Sequence, residues 1–110
     1  MFRINPAPTF AATVQLTLPG GSEQAPLSLV FKHRGKKALA SWVAGAGEAA
    51  DDAVFLGHVI ESWLGVVDDN GAEVAFSPAR LSELLDAYPA AGSEIYLAYL
   101  AALTEGRTKN

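Results

Sequence analysis

Histidine is the side chain best suited to acid–base work and metal ligation near neutral pH, and the chain holds two, His33 and His58. His33 lies within Lys32-His33-Arg34-Gly35-Lys36-Lys37, where neighbouring cations repel a metal ion. His58 has Glu61 three residues further on. That pair supplies only two ligands, whereas a zinc centre needs at least three from the protein. Both histidines therefore read as structural or surface residues. The acidic pair Asp51-Asp52 suits a helix start, and Asp68-Asp69 suits a turn. Asp68-Asp69-Asn70-Gly71-Ala72-Glu73 is too short, and wrongly spaced, for a calcium loop. Cysteine is absent, which excludes thiol catalysis, disulfides and cysteine-based metal sites. Glycine-rich phosphate loops, H-E-x-x-H pairs and G-x-S-x-G elbows are absent too. The residues predict no enzyme and no cofactor.

What remains is binding chemistry. Eight Lys and Arg against twelve Asp and Glu give 8 − 12 = −4, an excess that argues against general nucleic-acid binding. The charges are segregated. Lys32, Arg34, Lys36 and Lys37 cluster around His33, while Glu48 to Glu94 carries Arg80 as its one cation among ten acidic residues. The plain reading is a solvated strand end and solvated helix faces. The sharper one is salt-sensitive self-association, basic end to acidic body, with those four cations as electrostatic contacts. The basic cluster lacks the interleaved aromatics on which bases stack. Trp42, Trp63, Tyr96 and Tyr99 fall on apolar stripes. Rings of this kind build small cores, yet these stripes are wider than one contact needs, so the four are candidate apolar partner contacts.

The elements that must position these groups follow from periodicity. Residues 1–10 carry Pro6 and Pro8 and form an extended arm. Val14, Leu16 and Leu18, then Leu27, Leu29 and Phe31, alternate with more polar neighbours, predicting strands over about 12–18 and 27–33 that pair as an antiparallel hairpin within 11–34. After Gly35 the period lengthens: Leu39, Trp42 and Val43 predict a helix over Lys36–Ala44, ended by Gly45 and Gly47. Asp51 or Asp52 begins a second helix whose stripe is Phe55, Leu56, Val59, Ile60 and Trp63, stopped at Gly65. A small hairpin or irregular turn surrounds Asn70-Gly71, where left-handed conformations cost little. Ser77-Pro78 opens a third helix and Pro89 closes it. The last helix runs from about Gly92 to Glu105 along Ile95, Tyr96, Tyr99, Leu100 and Leu103. Residues 106–110 have nothing to bury and should fray. The expected fold is α+β in one domain: an N-terminal hairpin packed with about four short helices across 35–105. No apolar run approaches the length of a bilayer span, and the N-terminus lacks a signal-peptide core, which predicts no membrane association.

Landmarks along the chain carry a family resemblance. Asn5-Pro6-x-Pro8-Thr9-Phe10 opens a strand, and Leu29-x-Phe31-Lys32-His33-x-x-Lys36 leads into Ala38-Leu39-x-x-Trp42. Ile60-x-x-Trp63-x-Gly65-Val66 precedes an acidic turn. Phe76-Ser77, Leu81-x-x-Leu84-Leu85-x-x-Tyr88-Pro89 and Tyr99-x-x-Ala102-Leu103 complete the set. Together they resemble the small tail assembly chaperones of long-tailed bacteriophages and prophages. The resemblance implies a non-catalytic protein of the host cytoplasm that binds the tape-measure protein, assists tail-tube protein to assemble around it, and is not retained in the finished tail. Many such proteins are also made in a longer, frameshifted form. Two other classes stay open: a virion structural or head–tail connector protein, and a small nucleic-acid-binding regulator using Lys32–Lys37.

Overall fold

The computed structural model describes residues 2–46 and 52–105. In chain order these form β1 (Thr9–Thr17), β2 (Gln24–Lys32), α1 (Lys36–Ala44), α2 (Asp52–Gly57), β3 (Ile60–Leu64), α3 (Pro78–Ala87) and α4 (Ala91–Thr104). The class is α+β, as the segregated periodicities predict. The sheet is antiparallel in the order β1-β2-β3, and helices cover one of its faces.

The hairpin starts about three residues earlier on each strand than the alternation alone suggests. Thr9 pairs with Lys32 and Thr17 with Gln24. Pro26 is accommodated inside β2 because of the ladder's parity. The Leu18 N–H donates to the Glu23 carbonyl at one end and the His33 N–H donates to the Pro8 carbonyl at the other. With the register between them, Pro26 falls at a position whose nitrogen faces away from β1, where no ladder donor is needed. Ala12, Val14 and Leu16 on β1 and Leu27, Leu29 and Phe31 on β2 point into the core.

The second predicted helix is the main correction. It ends at Gly57, and Ile60–Leu64 is a third strand along β2. His58 thus lies in the turn before that strand, and Glu61 lies on the strand. The misreading has a physical cause. Ile60 pairs with Phe31 and Ser62 with Val30, so Glu61 is an extra, bulged residue. The bulge turns Ile60 and Trp63, three apart in sequence, onto the same buried face. In a regular strand they would lie on opposite faces; at helical spacing they lie on one. The alternative helix start at Asp51 and the stop at Gly47 lie outside the described residues.

The loop from β3 to α3 is a small hairpin closed by a bridge between Val67 and Glu73. Asp68 organises its tip. Its side chain accepts the N–H groups of Asn70 and Ala72, and its carbonyl accepts the N–H of Gly71. Gly71 supplies the left-handed residue at φ +78°, while Asn70 keeps negative φ. Helix α3 starts as its sequence dictates: the Ser77 hydroxyl accepts the Arg80 N–H and Pro78 occupies the first turn.

Candidate partner-binding surfaces

An aromatic layer links five elements. The Phe31 ring lies 4.9 Å from Tyr99, and Phe10 lies within about 6 Å of both. Tyr99 meets the edge of Trp42 at 5.3 Å, and Trp42 stacks on Phe55 at 4.3 Å with planes 2° apart. Tyr96 closes the group, 5.5 Å from Trp42 and 6.0 Å from Phe55. Sheet, α1, α2 and α4 therefore meet through rings whose offset and edge geometries match the ring quadrupole.

The four aromatic candidates divide. Tyr99 is 0 % exposed, and its hydroxyl donates to the Lys32 carbonyl at 2.8 Å. Burial pushes its pKa up to about 12, partly offset by the nearby Arg34 guanidinium. Trp63 is 6 % exposed, donates to the Val74 carbonyl at 2.8 Å, and takes Phe76 edge-on at 5.1 Å. Both are core residues with their polar atoms bonded, so neither offers free surface in the folded chain. Trp42 and Tyr96 are half-buried. The Trp42 indole N–H donates to the Phe55 carbonyl at 3.0 Å. Helix α1, which carries Trp42, has no fully buried residue.

The cations divide as well. Arg34 is committed internally: its guanidinium donates to the carbonyls of His58 at 2.6 Å and His33 at 3.1 Å, tying the exit of β2 to the turn before β3. Lys36 and Lys37 are exposed in the first turn of α1, and Lys32 is half-buried at the end of β2.

Two further surfaces stand beside these candidates. The first is the outer face of α4, whose apolar stripe is wider than one contact needs, as its sequence suggests. Ile95 to Leu103 are nine consecutive apolar residues. Ala91, Ile95, Ala98 and Tyr99 face the core, but Leu97 is 52 % exposed and Tyr96, Leu100, Ala101 and Leu103 are only half-buried. A helix apolar on every side is ordinarily enclosed; this one is covered on one side. Its start is anchored at long range, since the Glu94 carboxylate accepts the N–H of Thr17 at 2.9 Å and its hydroxyl at 2.6 Å. Nothing in the local sequence around Glu94 announces that partner, 77 positions away.

The second is a cleft of about 740 Å³ at the hairpin tip. Leu16, Leu18 and Leu27 meet Trp63, Val66 and Val67 of the next loop and Leu84 and Tyr88 of α3 there. Asp68, Asp69 and the Arg80–Glu83 ion pair, 3.2 Å apart and exposed, also line it.

Among the described residues no cluster of three or more His, Cys, Asp or Glu could hold a metal ion, and no polar or charged residue is fully buried. No helix among them is long and apolar enough to cross a membrane. The described molecule presents apolar faces and segregated charge, the equipment of a protein that binds other proteins. No characterised protein and no solved structure gives a significant match. A family model described as phage tail assembly chaperone matches residues 1–110, the entire sequence. The chain therefore belongs to the phage tail assembly chaperone family.

Proposed function

We propose that the chain binds the tape-measure protein in the host cytoplasm and holds an apolar helical segment of it against the outer face of α4, with Trp42 and Tyr96 at the margin. The bound segment is kept from aggregating while tail-tube protein assembles around it, and the chaperone leaves before the tail is complete. No covalent step and no cofactor enter this role. The observation that supports it is the run Ile95–Leu103, apolar on every side and covered on one. A partner helix laid against that open face removes its surface from water, at about 25 cal/mol for each Å² of apolar area buried. The open surface is uncharged from Ile95 to Leu103, so its recognition tolerates different apolar sequences in the client.

Co-expression with the tape-measure protein tests this reading. The wild-type chain should hold it in the soluble fraction and co-purify with it. Leu97→Glu should lose at least about tenfold in affinity, because it places a charge in the contact. Its stability should stay within about 0.5 kcal/mol, since Leu97 is exposed. A wild-type chain that fails to co-purify, or a Leu97→Glu chain that binds equally well, overturns the assignment.

A further inference from the structure

The arm before β1 carries two large apolar side chains with no cover: Phe2 is 97 % exposed and Ile4 is 91 % exposed. Arg3 lies between them. The arm leaves the sheet beside Lys32, the pairing partner of Thr9, and Lys36 and Lys37 follow just beyond β2. The cleft lies at the other end of the hairpin, around Leu16 and Leu18. Its rim carries Asp68, Asp69 and Glu83 against the single cation Arg80. One end of the molecule thus offers apolar side chains flanked by cations, and the opposite end offers an open, partly apolar cleft flanked by carboxylates.

The arm cannot seat both of its apolar side chains in its own cleft, since only Phe2, seven residues before Thr9, could span the distance, and then only fully extended. Thr9 and Leu16 are seven residues apart on an extended strand, roughly 23 Å. Ile4 lies five residues before Thr9 and reaches at most about 17 Å from it, even if the chain reverses at once. Pro6 and Pro8 stiffen that reversal. A second copy has no such limit.

We propose that the arm of one copy docks in the cleft of the next, Phe2 and Ile4 against Leu18, Val67 and Leu84, with Arg3 facing Asp69 and Glu83. The contact joins two different surfaces, so each copy retains one free arm and one free cleft and the association runs head to tail. It is independent of the α4 face that Proposed function assigns to the client.

Sedimentation equilibrium on the full chain, at low and high salt, tests it. The wild-type mass should rise with concentration and fall back as salt screens the rim charges. Phe2→Ser/Ile4→Ser removes the arm's apolar contacts without touching the core and should be monomeric over the same range. Asp69→Lys/Glu83→Lys alters only exposed rim residues and should weaken association at least about tenfold. A mixture of these two double variants is decisive. The first keeps its cleft but lacks a working arm, and the second keeps its arm but lacks a complementary rim. If the contact is head to tail, neither alone associates like wild type, whereas the mixture forms a one-to-one complex of wild-type strength, the arm of the second in the cleft of the first, that grows no further. Adding Arg3→Glu to the rim variant, so that arm and rim charges are exchanged, should restore self-association to it. A wild-type chain that is monomeric at every concentration, an arm variant that associates like wild type, or a charge exchange that restores nothing overturns the proposal. Unchanged tape-measure binding by the arm variant separates any failure here from a failure of the client site.

Discussion

The two tryptophans answer the same chemical problem in different surroundings. Each donates its indole N–H to a backbone carbonyl, Trp63 to Val74 and Trp42 to Phe55, and each packs on a phenylalanine ring. Trp63 sits on a sheet strand, with the loop that carries Val74 and Phe76 folded over it, and is buried. Trp42 sits on a short helix with no fully buried residue and remains half-buried. Satisfying a polar atom therefore does not decide whether an aromatic side chain is core. What decides it is whether the surrounding elements close over the ring, and around Trp42 they do not.

That contrast can be broken by substitution. Trp63→Ala should cost about 3–5 kcal/mol, the range for removing a large ring from a closed core, and chemical denaturation would show it as a large drop in midpoint. Trp42→Ala should cost less, about 1–2 kcal/mol, since part of its area already faces water. Its main effect should be local, with faster amide hydrogen exchange across Lys36–Ala44 and little change in the sheet. Equal losses at both sites would erase the distinction. A smaller effect concerns Tyr99, which packs against Trp42. Its folded pKa of about 12 exceeds the ordinary tyrosine value of about 10, so the neutral hydroxyl is the form the fold prefers. Its contribution is complete below about pH 10 and is lost as pH rises towards about 12, because the unfolded chain releases the proton first. Tyr99→Phe should flatten that alkaline decline in denaturation midpoints measured at successive pH values. A decline equally steep in both proteins would mean that other groups cause it.

Much of the fold was legible because its signals are local. Strand alternation at Val14–Leu18 and Leu27–Phe31, the Ser77-Pro78 cap and the break at Pro89 each act within a few residues, and the structure follows them. The third strand was hidden because one bulged residue, Glu61, converts a strand's spacing into a helix's. The surfaces were less legible than the elements. Aromatic residues at helical spacing identify an apolar stripe but not which part of it neighbouring elements cover, and Trp63 and Tyr99 proved to be interior. The cleft is built from the hairpin tip, the loop after β3 and α3, parts far apart in sequence that only the tertiary fold unites. The clasp of Thr17 by Glu94 is non-local in the same way.

That clasp and the placement of Pro26 bear on how a small sheet with two borders avoids pairing with other chains. An open strand edge is a template on which another chain can add by backbone pairing. At the tip of β1 the Thr17 amide is already held by a carboxylate, so an incoming strand would have to displace an ionic acceptor to use it. On the far side, β3 pairs with β2 only as far as Ser28, and the next outward-facing position is Pro26, which has no N–H to offer. Both borders of the sheet are thus closed to strand addition at the tip. Thr17→Pro would keep the first border closed, whereas Pro26→Val would open the second and should raise the tendency of concentrated chain to form β-rich aggregates.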